Sequence, residues 1–146
     1  MSSPDTQSSS TITPVRIAGT GSYLPERIMT NQDLEKTVDT SDEWIATRTG
    51  IRARRIAAED EATSDLASKA GINALEQAGI EGKDIDLIIV ATITPDTLTP
   101  ATACYVQQKI GAFGAVAFDV FAACSGVLFA LELARHSVGA GAFRNA

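Results

Sequence analysis

Apolar and polar positions change period several times along the chain, and each change marks an element. Val15-Arg16-Ile17-Ala18 alternates with the period of a strand and ends in the tight turn Gly19-Thr20-Gly21. Pro25 then keeps the chain out of regular structure until Thr30-Asn31 opens a short helix. From Asp39 to Gly50, Thr40 and Glu43 have capping-box spacing, and Gly50 can close the helix they start. Ile51 to Ala57 reads as a short extended segment whose arginines suit a solvated edge. In Ser64 to Ala78, Leu66, Ala70, Ala74, Leu75 and Ala78 share one helical face, with Ser64 as N-cap and Gly79 as stop. Asp86 to Thr92 is a continuous apolar run, as in a strand covered on both faces. Thr99-Pro100 opens a helix to Lys109-Ile110, with Thr99 as N-cap and Pro100 at its first position. After the turn at Gly111 to Gly114, Ala115 to Val120 forms a strand, and an apolar helix follows Cys124 to about Val138. This order predicts an α/β fold with a mainly parallel sheet.

Composition narrows the chemistry. A formal charge of −6 gives no support to nucleic-acid or anionic-membrane binding, and the basic residues are scattered apart from Arg52-Ala53-Arg54-Arg55. Cys104 and Cys124 are too far apart in sequence for a zinc or redox pair, and a single His provides no cluster, so no metal is expected. The longest apolar stretch is interrupted by Asp119 and Glu132 and falls short of the ~20 residues of a membrane span. Residues 1–14, rich in Ser and Thr, read as a flexible tail and not as a signal peptide. A cytoplasmic, reduced protein is expected.

Two stretches carry candidate chemistry. Cys124 lies where the apolar β-prone run breaks at Ala122-Ala123 and a helix begins. Unpaired N–H groups at a helix N-terminus stabilise a thiolate, and Ala122, Ala123 and Gly126 leave room for a thioester. The competing reading is a buried core thiol, since free Cys packs as a small hydrophobe. That second reading suits Cys104, inside an alanine-rich helix. His136 lies some three turns beyond Cys124 and cannot reach its thiol. Trp44 and Arg48, at i and i+4, place an indole and a guanidinium on one face, which suits stacking on an adenine with a charge for its phosphates. Spacing alone favours the plainer arrangement, in which Trp44 anchors the helix to the core and Arg48 covers it.

Taken together, Gly19-Thr20-Gly21-Ser22-Tyr23-Leu24-Pro25, then Asp39 to Ile51, then Ala117-Phe118-Asp119 through Ala122-Ala123-Cys124-Ser125-Gly126 resemble β-ketoacyl-acyl-carrier-protein synthase III, of the thiolase-like condensing enzymes. The resemblance is collinear from Val15 to about Ala142, and it makes residues 15–146 the N-terminal half of such a domain. It implies a layered αβαβα fold made of two similar halves, working as a homodimer. The implied reaction starts type II fatty-acid synthesis: an acyl group passes from acyl-CoA to a cysteine, and malonyl-acyl-carrier protein then decarboxylates and attacks the thioester. Acyl-CoA is a substrate here, and no cofactor is implied. By the same resemblance Cys124 matches the nucleophile. Trp44 and Arg48 match the residues that hold the CoA adenine nucleotide, Thr40 a neighbour that contacts the base, and Thr99 the gate at the end of the acyl pocket. The family's catalytic His and Asn, which stabilise the enolate left by decarboxylation, have no counterpart among these residues. The 146 residues alone are therefore expected not to complete a condensation, and to leave Val127, Leu128, Phe129 and Leu131 uncovered. Two alternatives accompany this reading: a polyketide or quinolone-type condensing enzyme of the same superfamily, and a non-catalytic fragment that depends on a partner chain.

Overall fold

The computed structural model describes residues 13–146. Of the expected tail, only Thr13 and Pro14 fall within it. The elements are β1 (Arg27–Thr30), α1 (Asn31–Glu35), α2 (Asp42–Thr49), β2 (Ala53–Ile56), α3 (Thr63–Ala78), β3 (Leu87–Ala91), α4 (Thr102–Lys109), β4 (Val116–Val120) and α5 (Gly126–Gly139), with short 3-10 turns at Gly82–Asp84 and Ala123–Ser125.

The centre is a parallel pair, β3 with β4, in the register Leu87 with Val116 through Ala91 with Val120. Side chains alternate across a strand, so the two faces of the pair can be separated by parity. Ile88, Val90, Ala115 and Ala117 join Ala103, Val106 and Ile110 of the α4 region and Ala67 of α3 in one apolar cluster. Ala91 faces the other way, and a Cβ added to Gly126 would lie 3.4 Å from the Ala91 Cβ. The order is thus helices, sheet, helix, with α5 opposite α4. On α5, Val127, Leu128, Phe129 and Leu131 are all exposed, Leu128 to 66%.

Val15 to Gly21 is not a strand. Its backbone finds no ladder partner among the described residues and is held instead against α3, where Cβ atoms on Gly19 and Gly21 would collide with the Ala74 and Ala70 carbonyls. Asn73 Nδ2 donates to the Ser22 carbonyl (2.9 Å), and Lys69 and Glu61 clasp the Tyr23 hydroxyl at 3.0 and 2.6 Å. The Ala70, Ala74 and Ala78 face of α3 is therefore covered by glycine backbone, which only residues without a Cβ allow.

Regular structure also begins earlier than expected after Pro25. Arg27–Thr30 pairs antiparallel with Ala53–Ile56, so the basic stretch is indeed an extended edge, but with a partner just before α1. Thr30 caps α1 in a reciprocal box with Asp33, as its position suggested.

Three helix starts shift. In α2 the cap is Ser41, whose Oγ accepts from Trp44 N (3.1 Å), which frees Thr40; Gly50 closes the helix in the left-handed region (φ 73°). In α3 the Asp65 carboxylate accepts from Ala62 N at 3.0 Å, while Ser64, fully buried, accepts from Lys109 Nζ at 2.6 Å and is no cap. In α4 the start moves from Thr99-Pro100 to Thr102, because Asp119 of β4 accepts from both Thr102 N (2.7 Å) and Ala103 N (2.8 Å). A carboxylate from the neighbouring strand replaces a local cap.

Candidate active site

Parallel pairing places the segments that follow β3 and β4 at the same carboxyl edge of the sheet, where open α/β sheets assemble their sites. After β4 the chain passes through Phe121-Ala122, enters the 3-10 turn Ala123–Ser125 and continues into α5. Cys124 sits in that turn with a free, exposed thiol. The turn is tight: Ser125 N and Ser125 Oγ both donate to the Ala122 carbonyl, at 3.1 and 2.8 Å. Ala123 lies at φ +45°, a left-handed conformation that L-residues other than Gly, Asn and Asp seldom adopt. Strain of this kind, of order 1 to 3 kcal/mol, persists only where the surroundings enforce it, and here it holds the next residue out of the strand direction. Gly126, buried at the first turn of α5, packs beside Ala91 of β3. Among the described residues Cys124 is exposed and not packed into the core. Cys104 is half-buried on α4, on the other side of the sheet.

After β3 the chain forms a long loop to α4. Asp96 N donates to Thr102 Oγ1 (3.1 Å) and the Asp96 carboxylate accepts from Ser64 N (2.9 Å), so the loop is tied to both helices at its base. Leu98 and Thr99 stand exposed at its far end. Thr99 and Cys124 therefore belong to neighbouring segments at one edge of the sheet.

The third group lies on α2. Ile45 is the buried residue of that helix and anchors it, while Trp44 is 52% exposed. The spacing-based preference for a core-anchoring tryptophan is corrected by this arrangement: Ile45 takes the buried position and Trp44 faces outward. Arg48 lies over the indole, with Cζ 4.6 Å from the ring centroid, a cation–π contact. Beside it a cleft of about 520 Å³ is lined by Val38, Asp39, Thr40, Ser41 and Trp44. Thr40, released from capping, contributes to this wall. The arrangement offers a flat aromatic face, a hydroxyl and a cation in one place.

In sequence, Ala123 shows a role through its small size but not its left-handed backbone, and Asp119 shows no part in capping α4. A lone carboxylate inside an apolar strand was the available signal for Asp119, because such a group needs buried donors. Among the described residues, no group of three His, Cys, Asp or Glu side chains is placed to hold a metal ion, and no helix is long and apolar enough to cross a membrane. His136 is exposed, 3.2 Å from Glu132 on its own helix.

A cysteine at a strained strand-to-helix turn, at the carboxyl edge of a parallel sheet between helices, defines an α/β protein of the thiolase-like kind. Comparison with known proteins makes this specific. No family model matches the chain. It is 58% identical over 129 residues to the β-ketoacyl-[acyl-carrier-protein] synthase III of Caldanaerobacter subterraneus subsp. tengcongensis, covering 88% of this chain and 39% of that protein. The crystal structure of 3-oxoacyl-[acyl-carrier-protein] synthase III from Aquifex aeolicus superposes with a TM-score of 0.82 at 52% identity, over 86% of this chain and 40% of that one. The priming β-ketosynthase of the R1128 polyketide biosynthetic pathway superposes with a TM-score of 0.85 at 41% identity, over 88% of this chain and 39% of that one. The chain thus spans about two-fifths of the length of the relatives it matches. In sequence and in fold it is related to the N-terminal part of β-ketoacyl-[acyl-carrier-protein] synthase III.

Proposed function

We propose that this chain carries the acyl-accepting cysteine and the CoA-recognising helix of an initiating condensing enzyme of type II fatty-acid synthesis. The observation that carries the reading is the exposed Cys124 thiol in the strand-to-helix turn, next to Ala123 at φ +45°. In the first half-reaction the Cys124 thiolate attacks the thioester carbonyl of acyl-CoA; the C–S bond to CoA breaks, CoA leaves as a thiolate that takes a proton from solvent, and the acyl group remains on Cys124. In the second half-reaction malonyl-acyl-carrier protein loses CO2 and its carbanion attacks the acyl-cysteine carbonyl. A β-ketoacyl-acyl-carrier protein forms and Cys124 is released as thiolate. Val127, Leu128, Phe129 and Leu131 suit cover by the remainder of such a fold and by a second subunit in a homodimer.

Trp44, Arg48 and Thr40 bind the adenine nucleotide of CoA in this reading, far from the reacting carbonyl. Trp44→Ala in the full-length protein is expected to raise KM for acyl-CoA by about tenfold, as loss of one base-stacking contact does, and to leave kcat within about twofold. Steady-state kinetics at varied acyl-CoA check this; a lowered kcat at unchanged KM contradicts it.

Primer length forms a second part of the proposal. Thr99, at the exposed end of the β3–α4 loop, is proposed as the acyl-pocket gate, and its small side chain leaves depth for medium, long or branched chains. A series of acyl-CoA primers is expected to show kcat/KM highest beyond acetyl. A strong preference for acetyl-CoA contradicts the assignment.

A further inference from the structure

We infer that Asn31 is a positioning residue for the CoA-recognising helix: a polar clamp that ties both ends of α2 to the antiparallel pair β1 and β2. The inference rests on the role proposed for Trp44 and Arg48. Asn31 is wholly buried (0% exposed) although its side chain is an amide. Its Nδ2 donates to Asp42 Oδ1 at 2.7 Å and to the Ile51 carbonyl at 2.8 Å, while its Oδ1 accepts from Arg54 Nη2 at 2.9 Å. Asp42 is the first residue of α2, and Ile51 follows the Gly50 that closes it. One side chain thus holds the helix at its start and its finish, and Arg54 of β2 holds that side chain.

The charges fix the amide's orientation. Its carbonyl faces a guanidinium and its NH2 a carboxylate, so a flipped amide would oppose both. A helix of eight residues with Ile45 as its buried residue has little apolar burial to set its pitch, and isolated helices of that length are marginal. Arg54 Nη1 is buried with no partner among the described residues, so Asn31 supplies the side-chain hydrogen bond that Arg54 makes there. Loss of the Asn31 amide would take the partner from Asp42 Oδ1, the Ile51 carbonyl and Arg54 Nη2 at once, and the Trp44 and Arg48 platform would lose its fixed angle.

Asn31→Asp tests the clamp without changing volume, because it sets an acceptor against the Asp42 carboxylate. In the full-length protein, amide exchange over residues 42–51 is expected to quicken by about tenfold, with β3 and β4 unchanged, as for a local opening. KM for acyl-CoA should rise by a similar factor at constant kcat. Adding Asp42→Asn restores a donor to that contact and should recover part of both losses. Unchanged exchange over 42–51, equal acceleration throughout the chain, or no recovery in the double variant each overturns the clamp. Trp44→Ala is run alongside. If it leaves KM unmoved, the CoA reading of α2 fails, and the clamp stands or falls on the exchange data alone.

Discussion

Cys124→Ala is expected to abolish acyl transfer from acyl-CoA, with a loss of at least about a thousandfold, whereas Cys104→Ala leaves the rate within about twofold. The asymmetry follows from placement. Cys124 is exposed at the turn into α5, where the Ala123 backbone and the small neighbours Ala122 and Gly126 leave its thiol open to a thioester. Cys104 lies in α4, half-buried, across the sheet from α5. Removing its sulfur trims a packing contact, a cost well below the loss of a nucleophile. Acyl release from CoA, followed as free thiol in the full-length protein, distinguishes the two. A Cys104→Ala variant as inactive as Cys124→Ala contradicts the assignment.

The second large effect is expected at Asp119, on stability. Its carboxylate accepts from the Thr102 and Ala103 N–H groups at 2.7 and 2.8 Å, and both of those residues are 0% exposed. Asp119→Ala leaves two buried donors unpaired, a cost of about 1 to 3 kcal/mol each. Asp119→Asn keeps the shape yet replaces one acceptor oxygen with an NH2 that faces a donor, so it is expected to cost about half as much. The consequences reach the site, because Thr102 Oγ1 also accepts from Asp96 N at the base of the loop that bears Thr99. Urea unfolding of the full-length variants measures the loss, and amide exchange at residues 102–105 locates it. Wild-type stability in Asp119→Ala would show that the carboxylate is no cap.

Much of this architecture was legible in the residues, for reasons that differ by element. Asp86 to Thr92 and Ala115 to Val120 read as strands of a mainly parallel sheet, the first because burial on both faces leaves a continuous apolar stretch, and their cores pair in parallel. Val15 to Gly21 has an equally good strand pattern and is not one. Strand character depends on a ladder partner, which alternation within a single segment does not specify. Arg27–Thr30 was hidden for the converse reason: four residues after a proline show no pattern, and their pairing is supplied by β2. Helix starts slipped where the cap came from elsewhere, as with Asp119 for α4, or from the adjacent residue, as with Ser41 for α2. At the site, the break from Phe121 into Ala122-Ala123 announced the Cys124 turn, since small residues interrupting an apolar run have few other uses. The i, i+4 spacing of Trp44 and Arg48 placed them together but left open which way they face. Ile45 settles that by taking the buried position. Asn31 gave no signal at all, because a polar residue at the start of a helix is ordinary and its burial depends on Asp42 and Arg54 meeting it in space.

The central claim, that Cys124 accepts the acyl group, is tested most directly by peptide-level mass spectrometry after the protein is incubated with acyl-CoA and digested at low pH to preserve thioesters. The predicted result is a mass increase equal to one acyl group on the peptide that contains Cys124, with the Cys104 peptide unmodified. An acyl group on Cys104, or none on either cysteine in a folded full-length protein that consumes acyl-CoA, would contradict the account.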